Sequence, residues 1–364
     1  MQVVAFGLDD VEARRRYDAL FSDCPHAVIQ QSTHWAEIIS DIGPDKPIFL
    51  MALRDGQAIA GLPLYLFRGP AGGVLTSVPQ AGPLGGIFVR HGENDEPAYA
   101  ALLAAADRIA AESACIAMTL ITNPLRDDVA LYEKHLAPDL VLENFTQIVQ
   151  VARAVRGDAW VLPNNSERNP GRTIRKARAA GLSARLATDI GDLERWYPIH
   201  ERRHTQLNLA PLPHALLRNI FMVLHPRGEA FLQLVMLEEE IAAGCLFIQH
   251  REICDAFIMS MNSALGDKAP NYLLVEQALF TMSRRGIRCM NWQSSPRRGD
   301  GVYNFKKQWG SEERPYYFVT KLYCPPERIL SLGVDGARRG YPGHYVVPFG
   351  VFESGFSQRR YRKP

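Results

Sequence analysis

The residues with the most chemical character lie between Ser294 and Gly310. There Ser295-Pro296-Arg297-Arg298-Gly299-Asp300-Gly301 is followed by Tyr303, Phe305, Lys306, Lys307 and Trp309. Aromatic rings interleaved with cations can stack on a base and pair with phosphate, so the pattern suits gripping a ribose-phosphate chain. A lysine in such a setting can also stabilise the oxyanion formed during acyl transfer. Residue types alone leave a second reading open, a surface loop anchored to the core by its aromatics.

Two further constellations compete with it. His200-Glu201-Arg202-Arg203-His204 satisfies H-E-x-x-H, which on a helix puts two histidines on one face and a glutamate base beside a zinc ion. Against zinc, Arg202 and Arg203 would stand next to the metal, Ala210 occupies the place of a third histidine, and Glu229 sits in a loop. The second is the run Ser166 to Gly181, whose cations Arg168, Arg172, Arg175, Lys176 and Arg178 make it the most basic segment. Such a run is a solvated helix face or, through bidentate arginines, a phosphate contact. There is no G-x-S-x-G, no Walker loop and no G-x-G-x-x-G after a strand, which disfavours an elbow nucleophile, nucleotide hydrolysis and dinucleotide redox chemistry. Gly82-Pro83-Leu84-Gly85-Gly86 lacks a helix directly after it and reads as a structural turn. The general-base candidates are His204, Glu276 and Asp300.

The elements that must position these residues alternate between strand and helix. Strands are expected at Ile48–Leu53, Ala58–Phe67 and Cys115–Ile121, with an alanine-rich helix over Pro97–Ser113. The second half repeats the plan. Strands are expected at Phe231–Leu237, Ile241–Gln249 and Cys254–Met261, then a helix over Asn271–Arg285, with Gly286 as its C′ residue, and a strand over Ile287–Trp292. Ile59-Ala60-Gly61-Leu62-Pro63-Leu64 parallels Ala242-Ala243-Gly244-Cys245-Leu246-Phe247, and Tyr99–Leu120 parallels Tyr272–Trp292, so two similar α/β domains are expected. With 364 residues, 47% hydrophobic and 22% charged, the chain has ordinary globular values. A net charge of +2 does not announce a nucleic-acid binder, and no apolar run reaches the length of a membrane span. Six scattered cysteines and an N-terminus without a basic leader suit a cytoplasmic enzyme.

Four stretches in order resemble the FemAB-type branch of the GNAT acyltransferase superfamily. They are Gln31-Ser32-Thr33-His34-Trp35, the basic helix Arg172–Gly181, the strand–loop–helix Met259–Gly286 with Pro270, Tyr272 and Leu273, and Gly301–Gly310 as "x-Y-x-F-K-x-x-[FW]-G". The resemblance implies two tandem GNAT-like domains, each a mixed, mostly antiparallel sheet flanked by helices. They would span residues 1–150 and 151–325, followed by a basic tail, 326–364, packed back on the first domain. It implies amide formation by transfer of an aminoacyl group from aminoacyl-tRNA to an amine acceptor, a small molecule or a peptide or cell-wall precursor, with no resident cofactor or metal and no DNA partner. Lys306 and Phe305 would carry the chemistry. Tyr303, Lys307, Trp309, Arg297, Arg298, Arg172, Arg175 and Tyr272 would bind substrate. The alternatives are an acyl-CoA donor, for which Arg168-Asn169-Pro170-Gly171-Arg172-Thr173 nearly matches a pyrophosphate loop, a silent binding module, and a zinc hydrolase.

Overall fold

A computed structural model describes residues 1–78, 84–90, 95–156, 159–160, 170–355 and 360–362. β1 (Gln2–Phe6) leads to α1 (Val11–Asp23) and α2 (Thr33–Ser40). Both helices start at side-chain caps: the Asp10 carboxylate accepts the Ala13 N–H (3.0 Å) and the Ser32 hydroxyl accepts the Trp35 N–H (3.1 Å). β2 (Lys46–Arg54) and β3 (Gln57–Gly69) form a hairpin about Asp55-Gly56, whose two positive φ angles (50° and 78°) suit a tight two-residue turn. β4 (Gly72–Thr76), β5 (Phe88–Val89), α3 (Asp95–Glu112), β6 (Cys115–Ile121), α4 (Val129–Leu136) and β7 (Leu140–Gln150) follow.

The next stretch opens with α5 (Val151–Ala154), β8 (Val155–Arg156) and β9 (Ala159–Trp160). It continues through α6 (Pro170–Ala179), β10 (Leu182–Leu186), α7 (Ile190–Gln206) and α8 (His214–Leu224). Then come β11 (Ala230–Leu237), β12 (Glu240–His250), β13 (Ile253–Met261), α9 (Pro270–Arg284), β14 (Cys289–Ser294), α10 (Gly301–Lys307) and β15 (Ser311–Leu322). Three short helices, α11 (Pro326–Leu330), α12 (Gly333–Gly340) and α13 (Val351–Ser354), and β16 (Arg360–Arg362) complete the described chain. Two compact units result, Met1–Phe145 with Arg314–Pro364, and Thr146–Glu313.

Among the described residues each unit has six strands of one plan along its sheet, with β5 added beside β3 in the first. In the first the order is β1-β2-β3-β4-β6-β15, and in the second β10-β11-β12-β13-β14-β7. Two helices separate the first two strands, α1 and α2 in one unit, α7 and α8 in the other. One helix, α3 or α9, joins the fourth and fifth strands, which pair in parallel. The sixth strand is exchanged. β7 follows the fifth strand of the first unit but pairs with β14, and β15 follows the fifth strand of the second unit but pairs with β6.

The Ala-Gly pair shared by the two parallel segments, Ala60-Gly61 and Ala243-Gly244, has a physical cause. A Cβ at Gly61 on β3 would lie 2.8 Å from the Tyr17 ring of α1, and one at Gly244 on β12 would lie 2.5 Å from the Trp196 ring of α7. In each unit the first helix lays an aromatic ring on the third strand, and only glycine admits it. The expected strand at Ile287 starts two residues later, at Cys289. The delay comes from the end of α9, where the Gly286 N–H bonds Ser283 O (3.2 Å) and the Ile287 N–H bonds Met282 O (3.0 Å). With Gly286 at φ 72°, these bonds form a Schellman motif that uses up both residues. Of the glycine-rich stretch, Gly86 has φ 74° and packs against the Tyr132 hydroxyl and the Ile121 carbonyl, so it is a structural turn. Gly82 and Pro83 lie outside the described residues, as do Ser166 to Asn169 of the basic run. Among the described residues no helix is long and apolar enough to cross a membrane.

Candidate active site

Much of the segment that residue types alone also allow as a surface loop is a helix. Gly299 (φ 78°) turns the chain, the Asp300 carboxylate accepts the Tyr303 N–H (2.6 Å), and α10 runs seven residues to Lys307 before Gly310 (φ 75°) ends it. The aspartate, a candidate base in the sequence, is the N-cap. A second tie, from the Asn304 side-chain amide to Gly299 O (2.8 Å), closes the same turn.

α10 sorts its residues by face. Phe305 joins an aromatic cluster, 5.4 Å edge-on to Tyr272 of α9 and 6.0 Å from both Trp292 of β14 and Trp309. Trp309, expected among the substrate-binding residues, is wholly buried in the core between sheet and α9. Lys306 points the other way and is 7% exposed, its ammonium donating to Gln293 O (3.1 Å) and Ser294 O (3.0 Å) at the end of β14. Lys307 and Arg297 are exposed. Arg298 is bound through its guanidinium to Glu313 (2.7–3.1 Å), and the Tyr303 hydroxyl donates to the same carboxylate (3.4 Å).

The strand behind Lys306 has an unusual end. β13 and β14 pair in parallel at only three positions, Ile253 to Asp255 against Cys289 to Asn291, although both continue. Beyond them Gln293 takes a left-handed conformation (φ 61°). Its N–H donates to Asn291 Oδ1 (3.1 Å), the Asn291 amide donates to the buried Asp255 (2.7 Å), and the Thr146 hydroxyl donates to Asn291 Oδ1. Gln147 and Ser295 bond to each other (3.0 Å), and the Gln147 amide also reaches Tyr303 O (3.1 Å). These residues were not singled out from the sequence; the only signal is Asn291, a polar residue inside an apolar strand. At the same strand end, Trp292 Nε1 and Gln293 Nε2 have no hydrogen-bond partner among the described residues.

The other candidates divide. α6 docks on α9 through its inner face, Ile174 and Ala177, with Arg178 paired to Glu276 and Lys176 Nζ donating to Asp267 O (3.1 Å). Glu276, a candidate base, is buried and held by that pair and by the Gln277 amide (3.2 Å). Arg172 and Arg175 lie on the exposed face of α6, and no carboxylate partner is found for either among the described residues.

The H-E-x-x-H stretch has a different use. The chain after α7 doubles back along it, and its groups bond to α7 residues three or four apart. The Leu209 N–H meets His204 O (2.9 Å), the Leu212 N–H meets His200 Nε2 (3.0 Å), Leu212 O accepts the Tyr197 hydroxyl (3.0 Å), and His214 meets Glu194 (2.6 Å). Because His200 Nε2 accepts an N–H, its proton sits on Nδ1 and donates to Ser260 Oγ on β13 (3.2 Å). Burial, aided by the neighbouring His204, lowers the His200 pKa to about 4, so the ring is neutral. His204 Nδ1 lies 3.1 Å from His200 O. The two histidines are stations of a helix-to-segment zipper, and no group of three or more metal-ligating residues occurs among the described residues.

Comparison with known proteins gives this geometry a class. Residues 165–307 match a family model described as an acetyltransferase (GNAT) domain. Among solved structures the chain is similar to FemX, with a TM-score of 0.66 at 17% identity, over 88% of this chain and 97% of that one. It is also similar to L-PGS from Bacillus licheniformis (TM-score 0.59, 12% identity, 89% and 95% covered). A third is a tandem GNAT protein from the clavulanic acid biosynthesis pathway (TM-score 0.55, 13% identity, 89% and 99% covered). No curated protein matches the sequence. The chain has the fold of the tandem GNAT proteins, and its residues 165–307 are a GNAT acyltransferase domain, which makes it an enzyme that transfers acyl groups.

Proposed function

We propose that the protein forms an amide by moving an aminoacyl group from aminoacyl-tRNA to an amine acceptor, with Lys306 and Phe305 at the reacting end. The observation that carries this reading is the placement of α10. It sets a buried ammonium and an aromatic cluster side by side at the strand end where β13 and β14 stop pairing. The amine lone pair adds to the ester carbonyl, a tetrahedral oxyanion forms, the bond to the ribose oxygen breaks, and that oxygen leaves with a proton while the new amide loses one. An aminoacyl ester is already activated, so alignment and charge stabilisation are what the enzyme must add. Lys306 supplies the positive charge, released in part from its two carbonyl partners as the oxyanion develops. Phe305 and Tyr272 form the apolar rim for the terminal base, and Arg172, Arg175, Arg297 and Lys307 meet backbone phosphates.

The similarity to FemX and to L-PGS supports the aminoacyl donor. The family match, described as an acetyltransferase domain, favours the second reading, an acyl-CoA donor at the same lysine. A donor panel separates them: purified protein is given mixed charged tRNAs or short acyl-CoAs, with a set of primary amines. Amide product from charged tRNA, lost in Lys306→Met, is expected. Product from acyl-CoA alone would replace the first reading with the second, and full turnover by Lys306→Met would remove the lysine from either.

A further inference from the structure

We infer that Asn291 is a positioning residue for Lys306, acting through the backbone of Gln293, an inference that rests on the role proposed for that lysine. The Lys306 ammonium donates to two main-chain carbonyls, Gln293 O (3.1 Å) and Ser294 O (3.0 Å), so its location follows how the end of β14 is folded. Those carbonyls converge because Gln293 adopts φ 61°. For a residue with a Cβ that conformation is strained and persists only where the surroundings impose it.

Asn291 is the group that imposes it. Its Oδ1 accepts the Gln293 N–H (3.1 Å), a side-chain-to-backbone bond two residues along the chain that closes an Asx turn. Asn291 is itself 3% exposed and fixed from two directions, by the Thr146 hydroxyl and by the buried Asp255 (2.7 Å). The order of support runs from Asp255 and Thr146 to Asn291, from Asn291 to the Gln293 backbone, and from there to the Lys306 ammonium. Alanine at 291 would free the Gln293 N–H, let the turn relax toward negative φ, and carry the carbonyls away from the ammonium. Glycine at 293 removes the Cβ that makes the conformation costly, so it should preserve the turn without the asparagine.

The test reads the lysine directly. Lys306 acylation by a water-soluble succinimidyl ester is followed by peptide mapping in wild type, Asn291→Ala, Asn291→Ala/Gln293→Gly and Thr146→Val. Transfer activity is followed in parallel, with Asn291→Ala expected to lower kcat by about 10-fold with KM nearly unchanged, as for a misplaced catalytic group. Wild-type Lys306 should react slowly, Asn291→Ala several-fold faster, and the double variant should return toward wild type in both readouts. Thr146→Val, which keeps the side-chain volume, should shift labelling in the same direction by a smaller factor, and it serves if Asn291→Ala does not fold. Unchanged labelling in Asn291→Ala and Thr146→Val, or failure of glycine to restore it, would overturn the inference. Labelling that responds as described, in a protein that transfers nothing from any donor, would leave the positioning intact and refute the proposed function instead.

Discussion

Lowering the pH should weaken the second unit through one histidine, His200. Its ring is wholly buried, with Nε2 accepting the Leu212 N–H and Nδ1 facing Ser260, and burial brings its pKa from 6.5 to about 4. The native state therefore keeps His200 neutral where the unfolded chain has already taken up a proton. Above pH 7 both states are neutral and the group contributes no pH dependence. Between about pH 6.5 and 4 the unfolded state binds more protons, so stability falls as the pH falls, and the slope ends once the native ring also protonates. Linkage between those two values gives about 2 kcal/mol less stability at pH 5 than at pH 7. Carboxylates titrate in the same window, so the readout is a difference between proteins. His200→Gln keeps an acceptor near Leu212 and cannot titrate. Urea denaturation at pH 7 and pH 5 should show the wild type losing about 2 kcal/mol more than the variant. Parallel losses in the two proteins would refute the placement of His200 as a buried, neutral acceptor.

Three other outcomes follow from the site. Lys306→Met should lower kcat by about 100- to 1,000-fold, as removal of one oxyanion donor does, with a much smaller change in KM under steady-state assay. Replacing Arg172 and Arg175 together by alanine should weaken binding of charged tRNA. It should also reduce the slope of log affinity against log salt by about 1 to 2, read by filter binding at several salt concentrations. Asp300→Ala removes the cap of α10 and should cost about 1 kcal/mol in urea denaturation, while Asp300→Ser restores most of it.

Much of the fold could be read from residues because its signals are local. Gly286 marks the end of α9, Asp55-Gly56 marks a hairpin, and the repeated Ala-Gly pair marks the strand on which each unit's first helix lays an aromatic ring. Phe305 and Lys306 share one short motif and Tyr272 belongs to another, and the structure packs Tyr272 against Phe305. What could not be read depends on contacts distant in sequence. Trp309 looks like Phe305 in composition, yet packing against α9 buries it completely. Glu276 and Asp300 have the chemistry of bases, but one is neutralised by Arg178, 98 residues away, and the other caps its own helix. The Asn291 network joins residues as far apart as Thr146, and no spacing rule would have found it. His200 and His204 satisfied a metal motif by letter, while the return segment, unseen in the pattern, takes their hydrogen bonds.

The exchanged sixth strand has a consequence for how the protein can be made and divided. During synthesis the second unit has all of its residues once Glu313 has been added, whereas the first unit still lacks β15 and the helices that follow it. The first half of the gene product must therefore wait, with β6 as an open sheet edge, while the second half is completed. The same wiring means that no single cut separates two self-sufficient halves. A fragment ending near residue 145 lacks the strand that closes its sheet, and the remainder carries that strand without its partner. One exchanged strand in each direction ties two units of one plan into a chain whose halves cannot be parted at a single peptide bond.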